Sequence, residues 1–153
     1  MGHSFCRVYV NFVWTTKRVQ RILTPSARSK LHAHLLKKAR DNSLITEALN
    51  VQPEHVHLFV SLSRIQAIEE VAKLLKGESS HWMNHGNIVT GKFSWQTGYG
   101  AFSVSYTHYK NVVAYINSQD EHHNRITFAE EYKALLRKYG YKRVETDESV
   151  LAD

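Results

Sequence analysis

Two short stretches hold the side chains best suited to chemistry. In Glu54-His55-Val56-His57-Leu58-Phe59-Val60 the two histidines stand one residue apart, with apolar residues between and after them. On a β-strand that spacing puts His55 and His57 on one face and turns Val56, Leu58 and Val60 to the other, toward a core. Two neutral imidazoles side by side can each offer a ring nitrogen to a divalent metal. The plainer alternative is a pair of exposed histidines on an amphipathic strand. The second stretch runs from Tyr115 to His123 and reads as helix. Tyr115 and Gln119 are four apart and His122 follows at seven, so all three share one helical face. A phenol beside a potential metal ligand is an unusual pairing, although Tyr115 alone would also serve as a packing residue and Gln119 as a solvated one.

Two other patterns fail. Histidine-triad nucleotide hydrolases need His-x-His-x-His, and Phe59 occupies the third place. The segment Gly86 to Lys92 imitates a phosphate-binding loop, but Phe93 stands where a Ser or Thr would hold Mg²⁺. That segment also follows an expected helix and enters an expected strand, the reverse of the context such a loop requires.

The elements that must position these residues follow from periodicity. Residues 7–14 alternate, with Val8, Val10, Phe12 and Trp14 facing one way and Arg7, Tyr9, Asn11 and Val13 the other, as in a half-buried strand. Thr24-Pro25 reads as an N-cap with Pro at the first helical position, opening a helix to about Asp41. Strands are expected at 44–51 and 55–62, joined by a turn at Gln52-Pro53-Glu54. A helix over 66–84 follows, then a loop over 85–92 and two short strands, 93–96 and 101–104. A third helix spans about 108–122. A fourth begins at a Thr127/Glu130 capping box and stops at Gly140. This order predicts an α+β fold, a ferredoxin-like (RRM-like) antiparallel sheet with helices on one face and the other face open.

Composition narrows the function classes. The chain of 153 residues has an ordinary apolar fraction and a single cysteine, Cys6, so neither a disulfide framework nor a Cys-rich zinc site is available. No run approaches 18 uninterrupted apolar residues and the N-terminus lacks a signal-peptide pattern, so a soluble, cytoplasmic protein with no membrane partner is expected. One domain, 1–153, is expected in the absence of repeats or linkers. Twenty basic against fourteen acidic residues give +6. Residues 1–40 hold nine basic and no acidic side chains, whereas the acidic tail 145–153 holds four acidic and no basic ones. Such a field favours a polyanion, nucleic acid being the commonest. Lys17, Arg18, Arg21, Arg28, Lys37, Lys38 and Arg40 are candidate phosphate contacts, joined by Lys76. Tyr99 is a candidate base-stacking residue, whereas Trp95 and Phe102 suit core packing better.

Taken together the motifs resemble the single-tyrosine HUH transposases of the insertion sequence 200/605 type. The matching stretches are Phe12-Val13-Trp14-Thr15-Thr16-Lys17, Pro53-Glu54-His55-Val56-His57-Leu58, Leu75-Lys76-Gly77-Glu78-Ser79-Ser80, Phe93 to Val104 and Tyr115-Ile116-Asn117-Ser118-Gln119. They cover roughly residues 5–140. The resemblance implies His55, His57 and Gln119 as ligands of one Mg²⁺ or Mn²⁺, with His122 as a competitor for the place of Gln119. It implies Tyr115 as nucleophile on a C-terminal catalytic helix. It also implies cleavage and rejoining of single-stranded DNA with hairpin ends through a 5′-phosphotyrosine, by a homodimer in which the tyrosine helix completes a site in its own chain or its partner's. The sequence departs from relatives at Asn11, where His is frequent, and at Glu54, where Asp is. The competing classes are a non-catalytic nucleic-acid-binding module of the same fold and a replication-initiating HUH nuclease.

Overall fold

A computed structural model describes residues 2–122 and 125–142. Four strands form one antiparallel sheet: β1 (Val8–Thr15), β2 (Ile45–Val51), β3 (His55–Leu62) and β4 (Gly100–Val104). Their spatial order, β2-β3-β1-β4, is the ferredoxin-like arrangement. Between them come α1 (Pro25–Asp41) and α2 (Ile68–His85), and after them α3 (Tyr109–Asn117), α4 (Gln119–His122) and α5 (Phe128–Lys138).

The expected caps are present. Thr24 Oγ1 accepts from the Ala27 amide, with Pro25 opening α1. Thr127 and Glu130 close a reciprocal capping box on α5, satisfying amides that a helix start otherwise leaves unpaired.

The period-2 pattern sorts the strands into two faces. Val10, Phe12 and Trp14 of β1 join Val56, Leu58 and Val60 of β3 in the main core, under Leu31 and Leu35 of α1 and Val71 and Leu75 of α2. The opposite face differs from expectation: it is covered. Tyr9, Ala48 and Phe59 pack against Ile116 of α3, and Val13 and Phe102 against Phe128 and Leu136 of α5. The physical reason is visible in β1, whose second face carries Tyr9 and Val13 and so gains from burial as the first does.

Two further expectations are corrected. Residues 93–96 form no strand and make one isolated bridge, Thr16 with Trp95, because Trp95 packs edge-on to Trp14 and Phe93 to Trp95, while the Phe93 backbone bonds the Asn84 amide instead of a ladder. The third helix is broken at Ser118, whose backbone (φ −103, ψ 19) leaves the helical region while its hydroxyl donates to the Ala114 carbonyl at 2.8 Å. The acidic segment 145–153 and the side chain of His122 lie outside the described residues. Among the described residues no helix is long and apolar enough to cross a membrane.

Candidate active site

β3 places the histidine pair. In the β1–β3 register His55 stands opposite Thr15 and His57 opposite Val13, so both rings project into the layer under α3, α4 and α5. Both are fully buried, with ring centroids 4.9 Å apart and planes near perpendicular.

Each ring is oriented by a carboxylate. Nδ1 of His55 lies 2.5 Å from Oε1 of Glu54. That bond fixes Nδ1 as the protonated nitrogen and leaves the lone pair of Nε2 facing the site. Glu54 is itself buried and ion-paired with Arg21, whose side chain remains largely exposed. Shortly before Arg21 the chain kinks, with Arg18 and Val19 both at φ of +56, a costly conformation for a β-branched residue such as Val19. Burial pushes the His55 imidazole down to about 4, while the Glu54 hydrogen bond pulls the other way.

Nε2 of His57 meets Oε1 of Glu131, from α5, at 2.7 Å. The same oxygen lies 4.0 Å from Nε2 of His55. His57 Nδ1 has no hydrogen-bond partner among the described residues. Gln119 is buried at the start of α4. Its Nε2 donates to the Tyr115 carbonyl at 3.4 Å, which turns Oε1 toward His55 Nε2 at 3.5 Å. The neighbouring Asp120 anchors α4 by accepting from Arg28 at 3.1 Å and from Gln52 at 2.8 Å.

Tyr115 completes the cluster. Its ring stands edge-on to His57 with centroids 5.9 Å apart. Burial, then the charge of Glu131, raise the pKa of its phenol well above the usual value, while a hydrogen bond with Gln119 opposes them. Metal-free, the hydroxyl is therefore a weaker nucleophile than free tyrosine.

The structure thus brings together His55, His57, Tyr115 and Gln119, all within one chain. It adds Glu131, which sequence reasoning missed. His55, His57 and Glu131 offer ligand atoms within 4.8 Å of one another, a group able to hold a metal ion. Two imidazole nitrogens and a carboxylate oxygen, with an amide oxygen adjacent, suit a divalent cation in chemistry as well as spacing. Glu131 would add a negative charge to the neutral set His55, His57 and Gln119 that the resemblance implies. The only advance signal for Glu131 is its place on the amphipathic face of an expected helix, an acid among Phe128, Tyr132 and Leu135.

Of the candidate DNA-contacting residues, Arg21 and Arg28 pair with Glu54 and Asp120 at the site, and others lie farther off. Lys17 and Arg18 are exposed on the turn after β1. Lys76 donates to the carbonyls of Gln96 (2.9 Å) and Gly98, tying α2 to the loop before β4. Its Nζ also lies 5.7 Å from the ring centroid of Tyr99, and Tyr99 is 38% exposed. Asn11 is buried, and its Oδ1 has no hydrogen-bond partner among the described residues. Trp95 and Phe102 are core residues.

Comparison with known proteins gives the chain a family and the fold known relatives. The family model for IS200-like transposases matches residues 4–119. The ISDra2 transposase TnpA of Deinococcus radiodurans is 28% identical over 116 residues, covering 72% of this chain and 83% of the relative. Among solved structures, a protein from the same organism described as a transposase superposes with a TM-score of 0.61 at 25% identity, covering 78% of this chain and 96% of its own. A REP-associated tyrosine transposase, solved with a REP hairpin bound, has a TM-score of 0.56 at 17% identity, with 97% and 79% covered, a likeness of fold.

Proposed function

The chain belongs to the IS200-like transposase family, and from that premise we propose that it cuts and rejoins single-stranded DNA at insertion-sequence ends with Tyr115 as the nucleophile. The observation that carries this reading is the convergence of a half-buried tyrosine with two buried histidines, a glutamine and a glutamate.

In this reading His55, His57 and Glu131, with Gln119 beside them, hold one Mg²⁺ or Mn²⁺. The bound ion supplies positive charge that polarises the scissile phosphate and stabilises the charge developing on it. The rest falls to the protein. Glu54 keeps Nε2 of His55 unprotonated and aimed at the site. Oη of Tyr115 attacks phosphorus as its proton passes to water. The P–O3′ bond breaks and the released 3′ oxygen takes up a proton from water, leaving a 5′-phosphotyrosine and a free 3′-hydroxyl. The phosphotyrosine preserves the energy of the broken bond, so a 3′-hydroxyl can later attack the same phosphorus, displace Tyr115 and seal a strand without ATP.

The DNA carries a hairpin near the element's end, as does the ligand of the REP-associated relative. Exposed Lys17, Arg18 and Arg21 contact its phosphates, with Lys76 and Tyr99 nearby on the loop before β4. The protein works in the cytoplasm as a homodimer, each copy carrying a full set of site residues. The test is a divalent-ion-dependent covalent species between this chain and single-stranded DNA that maps to Tyr115.

A further inference from the structure

A cavity of about 220 Å³ opens where β1 outruns β4. β4 begins at Gly100, opposite Val13, whereas β1 continues to Thr15. The loop before β4 rejoins β1 through the Gln96 amide, which donates to the Thr15 carbonyl at 2.9 Å. The gap left between is lined by Thr15, Gln96, Thr97 and Tyr99, and by Phe128 and Tyr132 of α5. A site for a drug-sized ligand runs to about 300–1,000 Å³; this one is on the scale of a single planar heterocycle.

Its position links it to the chemistry. His55, Phe128 and Tyr132 form a column of near-parallel rings. The centroids of His55 and Phe128 are 4.2 Å apart at 27°, those of Phe128 and Tyr132 5.5 Å apart at 16°. The column leads from the metal-holding group to the cavity, so a strand with its phosphate at the histidines has an adjacent base within reach.

The wall contributed by the loop is set in advance. Tyr99 packs on Phe12 with centroids 6.2 Å apart, and Lys76 pins the loop on both sides of Thr97. Little ordering is therefore left to oppose binding. Polar groups are present for a base edge. The Thr15 hydroxyl donates to Oε1 of Gln96 and holds that amide at the cavity wall. Trp14 also lines the cavity, and its buried indole N–H has no hydrogen-bond partner among the described residues.

We propose that this cavity receives one unpaired nucleobase of the single strand, next to the cleaved phosphate, and so reads the DNA sequence at that position. The proposal rests on the strand-transfer reading above and adds to it a specificity pocket built from aromatic stacking, which suits any base, and polar edges, which select among them.

The test begins with a pool of single strands carrying a randomised window, incubated with the full chain and Mn²⁺. Strands joined covalently to protein are sequenced, and each base of the preferred strand is then replaced in turn by an abasic site. One position beside the cleaved phosphate should lose about tenfold in adduct rate. Tyr99→Ala and Thr97→Trp, at exposed positions, should slow the intact strand by a similar factor and abolish the sensitivity at that position. Unchanged sensitivity in a folded Thr97→Trp protein, or a profile with no sensitive base beside the cleaved phosphate, overturns the pocket while leaving strand transfer intact. Absence of any adduct with the unaltered chain defeats strand transfer itself, and the pocket with it.

Discussion

Oε1 of Glu131 lies 2.7 Å from Nε2 of His57, although 74 positions separate the two residues in the chain. The contact joins α5 to β3 and puts a negative charge among groups that are otherwise neutral. Glu131 also lies beyond residues 4–119, where the family model matches. Glu131→Gln keeps the shape and removes the charge. The affinity for Mn²⁺, measured by calorimetry, should fall by at least about tenfold. Equal affinity in the two proteins would exclude Glu131 from the metal-holding group.

Glu54 acts one step further out. Its carboxylate holds Nδ1 of His55 and is held in turn by Arg21. Glu54→Ala should weaken Mn²⁺ binding by about 10- to 100-fold through loss of that orientation. Arg21→Ala should cost less, since Arg21 is largely exposed and touches Glu54 rather than the ring, so the Glu54–His55 bond remains in place. The reverse ranking would mean that Arg21, rather than Glu54, sets the ring.

The pattern of hits and misses has a physical basis. His55 with His57, and Tyr115 with Gln119, were paired in advance by spacing, two apart on a strand and four apart on an expected helix, while the roles proposed for them came from the resemblance to the transposases. Glu131 was not, because its role depends on where α5 docks, and a capping box fixes where a helix starts but not what it packs against. The covered sheet face was foreshadowed by Tyr9 and Val13, apolar residues on a face assumed open. The missing strand at 93–96 had the right composition, yet Phe93 and Trp95 are held by the core around Trp14 instead of by a ladder.

Acid should destabilise the metal-free protein through His55. Its folded-state pKa is pushed down to about 4 by burial, whereas an unfolded histidine titrates near 6.5. Between those values the unfolded chain binds more protons than the folded one, so stability falls as pH drops from about 6.5 toward 4. The loss from this group is of order 2–3 kcal/mol by pH 4.5. Urea unfolding of chelator-treated protein at pH 7.5 and 4.5 measures it, and His55→Gln should shrink the difference. An undiminished difference in that variant would assign the acid sensitivity to other groups.

Gly100 is tightly enclosed. A Cβ there would lie 2.7 Å from Cε2 of Phe102 and 2.9 Å from Oη of Tyr132. Gly100→Ala should cost about 1–3 kcal/mol, with adding Tyr132→Phe recovering part of it by removing one of the two clashing atoms. Denaturant midpoints of the single and double variants check this, and full additivity would show that Tyr132 does not crowd the position.

The most direct measurement joins the chain to single-stranded DNA from an insertion-sequence end, with Mn²⁺ present, and resolves the products on a denaturing gel before peptide mass spectrometry. The account predicts a covalent species whose 5′-phosphate is carried by Tyr115. A Tyr115→Phe protein should still bind the DNA and form no such species. A covalent species that persists in Tyr115→Phe, or that maps to another residue in the unaltered chain, would contradict it.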